Sequence, residues 1–203
     1  MTSKFIEKLE RTISEKQTHI ALMIAPQMIK MPLPMKRHDD PFFPFGKEII
    51  RATKAITPVY LFDLAAYLRL GAAGAIALER TMSYAVAECV LVLHGPFAGP
   101  AYVEISDENA FASDAVTLHS LQNAAAYLQR QDRGVFVLEQ QEIAIDSYPQ
   151  NVGGYNPHQG QLHITGRDGL IISLRVFGDD AIYASAEEDY AAQARHYLEV
   201  HSE

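Results

Sequence analysis

The chain has 203 residues, 48% hydrophobic and 21% charged, which suits one globular domain spanning 1–203 and leaves too little for a second of any size. A formal charge of −8 argues against a nucleic-acid partner held through its phosphates. Cys89 is the only cysteine, so an internal disulfide framework is excluded and a reducing cytoplasm is the expected setting; no run approaches the ~20 apolar residues of a membrane span.

In "MTSKFIEKLERTISEK", Phe5, Ile6, Leu9 and Ile13 share one helical face and the charges take the other. The stretch lacks an unbroken apolar run, so it does not read as a signal peptide. "HIALMIA" from His19 predicts a buried strand. Pro26, Pro32, Pro34 and Pro41 then make 26–44 an irregular loop. "FGKEIIRATKAI" returns to helical spacing, "PVYLFDL" predicts a strand and "AAGAIALERTMSYAVAE" a helix. "CVLVLH" is the next strand, running into the Gly/Pro-rich "GPFAGP". "DAVTLHS" is a strand, "LQNAAAYLQRQ" a helix and "GVFVLEQ" a strand. "QLHITGR" and "GLIISLRV" are β-rich, and "AEEDYAAQARHYLEV" closes the chain as a helix.

Strands apolar on both faces, alternating with amphipathic helices, predict a parallel sheet covered by helices. Residues 142–160 break the pattern. Rich in Asn, Gly, Pro and Tyr, and containing "GGYNPHQG", they read as a long loop or a rebuilt connection.

Taken in order, these words resemble a known family. "DPFFPFGKEIIRATKAITPVYLFDLAAYLRLGAAGAIALERTMSYA" is similar to the first third of orotidine 5'-phosphate decarboxylases of the longer bacterial type. "DAVTLHS", "DRGVFVLEQ", "GLIISLR" and "AIYASAEEDYAAQAR" resemble that family's later strands and last helix. The resemblance covers most of the chain, about residues 5–200, and implies an α/β fold, a TIM-type (β/α) barrel. Between "RGVFVL" and the last strand the family has more chain. The barrel is therefore expected to be incomplete or rebuilt between residues 142 and 167, with "QLHITGR" as an added strand that fills the gap.

The resemblance also implies which residues should carry chemistry. The family's reaction depends on an alternating array of Lys and Asp. Placed on this sequence, its positions fall on Ala25, Leu61, His94, Pro96 and Gly99, so neither the proton-donating Lys nor its paired carboxylates are there. Such an array acts as a unit, and losing all of it removes the mechanism. The expected reading is a pseudoenzyme: a binding or interaction protein, homodimeric, with the rim around "GPFAGP" and "SDENAFA" buried between copies. No organic cofactor and no decarboxylation are expected.

Two further readings concern the rim of the barrel. Gln159, Gly160 and Arg175 fall where the family grips a phosphate, and would suit a nucleotide or another phosphorylated small molecule; the alternative is a turn and a surface arginine. Asp63, His94, His119 and Glu139 end four successive strands. Two imidazoles and two carboxylates at one rim suit a divalent metal or an acid/base set; the alternative is polar groups that bond one another. His19 and His163 flank apolar runs and read as hydrogen-bonded histidines. The methionines Met23, Met28, Met31 and Met35 read as packing.

Overall fold

The computed structural model describes residues 3–86, 88–95, 99–106, 110–130, 132–139 and 148–202. Eight strands close into one barrel in sequence order. They are β1 (Ile20–Ile24), β2 (Val59–Asp63), β3 (Val90–His94), β4 (Ala115–Leu118), β5 (Gly134–Leu138), β6 (Val152–Asn156), β7 (Gln161–Thr165) and β8 (Ile171–Phe177). The helices are α1 (Lys4–Lys16), α2 (Phe42–Thr53), α3 (Leu64–Leu68), α4 (Gly71–Ala85), α5 (Ala124–Tyr127), α6 (Asp179–Ile182) and α7 (Tyr190–His201).

From β1 to β6 every neighbour is parallel, and β8 meets β1 in parallel. β7 is the exception, running antiparallel to both β6 and β8. Two hairpins therefore take the place of two helical crossovers, since an antiparallel return needs only a tight turn. The barrel is complete, and "QLHITGR" supplies the added strand. β6 lies inside the stretch expected to be loop. Its Gly153 and Gly154 are there because the neighbouring strand comes close: a Cβ on Gly153 would overlap the His163 carbonyl oxygen.

Alternation sorts the side chains into two cores. Ala21, Val59, Leu61, Val90, Val92, Ala115, Phe136, Tyr155, Leu162, Ile164 and Leu174 fill the barrel interior. Leu22, Tyr60, Phe62, Leu91 and Val137 point outward to the helical layer of α2, α4 and α7. Both faces are dry, which is why the strands read as unbroken apolar runs.

α1 belongs to the inner core. Ser3 caps it by accepting from the Ile6 N–H, and the helix ends at Gln17 in the left-handed region (φ 56°). Its Phe5, Ile6, Leu9 and Ile13 pack with the interior residues and close the N-terminal end of the barrel. Phe5 meets Phe136 edge-on at 6.3 Å, and Lys8 Nζ lies 2.7 Å from both Asp114 carboxylate oxygens at the foot of β4. Arg167, in the β7–β8 turn, pairs with Glu7 and Glu10 at the same end. With the floor sealed, chemistry is left to the opposite, C-terminal mouth, where barrels of this kind place it.

Candidate functional site at the barrel mouth

The mouth is built by the ends of β2, β3, β4 and β6. Asp63 and His94 are direct register partners, and His94 in turn faces Thr117. Asp63 follows Leu61 in the inward parity of β2 and also starts α3, its Oδ1 accepting from the Ala66 N–H at 2.9 Å. Oδ2 has no hydrogen-bond partner among the described residues. Thr117 Oγ1 accepts from the Gly95 N–H at 3.1 Å and lies 2.9 Å from His94 Nδ1. Tyr155, on β6, meets the His94 ring edge-on at 5.6 Å. The apolar bed beneath this group includes Leu61 and Val92.

The electrostatics follow from burial. Desolvation pushes the His94 imidazole below its ordinary value; Asp63 opposes the shift and His119 adds to it. His94 is therefore neutral at pH 7. The Tyr155 phenol is pushed up to about 12, by burial first and Asp63 second, and keeps its proton. Thr117 settles the tautomer. Its hydroxyl proton has no other acceptor among the described residues, so it is donated to Nδ1, and the ring proton sits on Nε2. The mouth thus offers an acceptor at Asp63 Oδ2 and a donor at His94 Nε2–H, with the Tyr155 hydroxyl and the exposed His119 imidazole beside them.

The four-residue rim set divides. Asp63, His94 and the exposed His119 share the mouth, but Glu139 does not join them. In β5 the inward residues are Phe136 and Leu138, so Glu139 falls on the outer face. There it is 3% exposed, accepts from the Tyr148 hydroxyl at 3.0 Å and lies 3.0 Å from His163 Nε2. The approach makes no hydrogen bond, and His163 Nε2 is buried without a hydrogen-bond partner among the described residues. Among the described residues no group of three or more His, Cys, Asp and Glu is placed to hold a metal. Tyr155, Thr117 and Tyr148 escaped the sequence reading. Thr117 was within reach of it, two residues before His119 and so in step with it on one strand face.

The expected phosphate grip is also corrected. Arg175 points outward from β8, between the inward Leu174 and Val176; its Nη1 donates to the His201 carbonyl at 2.6 Å and the guanidinium covers the Phe177 ring. The His158 and Gln159 amides both donate to Asn156 Oδ1 at 3.0 Å, so that turn is already filled by its own side chain. Gly160 takes a positive φ of 60° and its carbonyl accepts from the Val176 N–H, which makes it a hairpin residue.

These observations can be set beside known proteins. No protein-family model matches the chain. It is 30% identical over 141 residues to the orotidine 5'-phosphate decarboxylase of Thermomicrobium roseum, covering 66% of this chain and 50% of that one. The Clostridium perfringens enzyme of the same name is 32% identical over 111 residues, covering 49% and 39%. The chain spans about half, or less, of the length of these curated relatives. Among solved structures, the Leishmania donovani orotidine monophosphate decarboxylase superposes with a TM-score of 0.67 at 15% identity, covering 98% and 97%. A Toxoplasma gondii protein provisionally assigned as such a decarboxylase gives 0.74 at 18%, covering 98% and 94%.

The chain has the orotidine 5'-phosphate decarboxylase fold.

On that fold, the positions tied by resemblance to the decarboxylase array can be located. Leu61 is fully buried in the barrel interior, and Ala25 follows β1, its carbonyl 3.5 Å from the Tyr183 hydroxyl. His94 is at the mouth, Gly99 accepts from the Tyr127 hydroxyl through its carbonyl, and Pro96 lies outside the described residues. An ammonium does stand at this end of the barrel: Lys30 Nζ is 2.7 Å from Asp179 Oδ2. It belongs to a groove walled by Tyr183 and Tyr197, away from Asp63 and His94. No helix among the described residues is long and apolar enough to cross a membrane.

Proposed function

We propose that this chain is a ligand-binding relative of the decarboxylases that does not carry out their reaction. The observation that carries the reading is Leu61. Where the resemblance puts one lysine of the alternating Lys and Asp array, an uncharged side chain is packed into the barrel with no exposure. Decarboxylation leaves a carbanion that an adjacent acid must protonate. Beside the Asp63 carboxylate, the mouth holds a neutral imidazole and a phenol that keeps its proton, both poor acids. What remains is a mouth with a dry bed and a few convergent polar groups, the usual form of a small-molecule site.

Incubation of the purified chain with orotidine 5'-phosphate, followed by carbon dioxide release, tests this. The expected result is no turnover. Turnover that grows with protein concentration overturns the reading, and loss of that turnover in Lys30→Ala would identify the overlooked acid.

The proposal includes a homodimer formed through the same end of the barrel. Met28, Leu68, Tyr102 and Leu121, on the connections after β1, β2, β3 and β4, leave large apolar side chains exposed there. Light scattering should give twice the chain mass, and a monomer at micromolar concentration would remove this part.

A further inference from the structure

Resting on that reading, we infer that the mouth takes a small, unphosphorylated nitrogen heterocycle or amide, one that gives an N–H to Asp63 and accepts from His94 Nε2, and that it turns phosphate monoesters away. The inference combines a distribution of charge with a pattern of donors.

The charge comes first. A phosphate dianion needs a guanidinium, an ammonium or a nest of free amides. All 17 Lys and Arg of the chain lie among the described residues. Lys4, Lys8, Arg11 and Lys16 ride on α1 at the sealed end, where Arg167 joins them. Lys54, Arg51, Arg130 and Arg195 pair with Glu88, Glu48, Asp132 and Glu199, and Arg133 donates to Ser106. Lys47 and Arg80 lie over Tyr84 and Phe43 on the helical layer. Arg175 is spent on the outer face. Four cations stand on connections at the mouth end: Lys30, Lys36, Arg37 and Arg69. Lys30 is held by Asp179, and Lys36 lines the same outer groove. No hydrogen bond or ion pair among the described residues links any of the four to Asp63, His94, His119 or Tyr155. The charges acting on His94 are those of Asp63 and His119. The amides of His158 and Gln159, in the turn where the resemblance puts a phosphate grip, are taken by Asn156. The fixed charge at the mouth is therefore the Asp63 carboxylate, which repels an anion and attracts an N–H.

The donor pattern narrows the class. Asp63 Oδ2 can only accept. His94 Nε2–H can only donate, because Thr117 holds the other ring nitrogen. The register pairing sets these two groups on adjacent strands at one level. A planar molecule carrying a donor and an acceptor on one edge satisfies both at once, and the Tyr155 ring beside them supplies an aromatic wall. Leaving either half-buried group unmet costs affinity, so simple hydrocarbons are disfavoured too.

The test is calorimetric titration of the full chain with cytidine and uridine, each against its 5'-monophosphate, with inorganic phosphate as a further probe. The expected result is that each nucleoside binds at least tenfold tighter than its monophosphate, with no heat from phosphate alone. Asp63→Asn keeps a side chain that caps α3 equally well and removes the charge, so it should narrow that ratio while the protein stays folded. Monophosphates binding as tightly as the nucleosides, or no probe binding, overturns the inference. Neither outcome depends on the decarboxylase assay, which stands or falls separately.

Discussion

Thr117 Oγ1 and His94 Nδ1 lie 2.9 Å apart across two neighbouring strands, and the same oxygen accepts from the Gly95 N–H. One hydroxyl therefore orients the imidazole and satisfies a buried amide. Thr117→Val keeps the shape and removes both bonds. It should cost about 1–3 kcal/mol, the usual penalty for stranding buried polar groups, read from urea denaturation. Thr117→Ser should recover most of that, and an unchanged midpoint in the valine variant would remove the role given to this hydroxyl.

Acid should weaken the fold through His94. The unfolded chain takes its proton near the ordinary value of 6.5, whereas the native imidazole, mainly because it is buried, resists until lower pH. Over that interval the unfolded state holds more protons, so stability rises with pH. The contribution is complete above 6.5 and is lost as pH falls through the native value. His94→Asn should therefore lose less unfolding free energy between pH 7.5 and pH 5 than the parent. Equal losses would mean that other groups govern the acid limb.

The floor plug can be tested at Leu9, which has no exposure and packs inside the barrel with Phe5 and Ile13. Leu9→Ala should cost about 2–5 kcal/mol, as large-to-small changes in a closed core do. A loss under about 1 kcal/mol in denaturant would mean that the helix only rests against the barrel end.

Gly154 is a tight point on the opposite wall. A Cβ there would overlap both Glu139 Oε1 and His163 Nε2. Gly154→Ala should cost about 1–3 kcal/mol, the range for overpacking, and should displace the His163 ring. The His163 resonances in an NMR spectrum should shift more than those of His94.

Much of this fold was legible because its first five strands and α1 carry strong periodic signals. The apolar stripe of α1 and the runs in β1 to β5 leave few alternatives. β6 was hidden because Val-Gly-Gly-Tyr-Asn has the composition of a turn, and its glycines answer to close neighbours that only the assembled barrel reveals. The helix expected from "LQNAAAYLQRQ" shrinks to a 3-10 turn (Leu121–Asn123) and the single turn of α5, since too little of it is covered to hold a longer one. The site was half legible. That Asp63, His94, His119 and Glu139 end successive strands follows from the sequence, but the facing of each depends on strand parity. Inward residues are odd-numbered in β2 and β4 and even-numbered in β3 and β5, so Asp63, His94 and His119 turn inward and the odd-numbered Glu139 turns outward. No periodicity within a single strand reports that change.

The two C-terminal hairpins also bear on how the chain assembles. β6, β7 and β8 can pair with one another as soon as they are made, with only short turns to close. The seam between β1 and β8 has no such advantage, because it joins opposite ends of the polypeptide. A pre-built three-stranded ribbon offers that seam one ready edge, so the costliest closure of the ring becomes a docking of preformed parts.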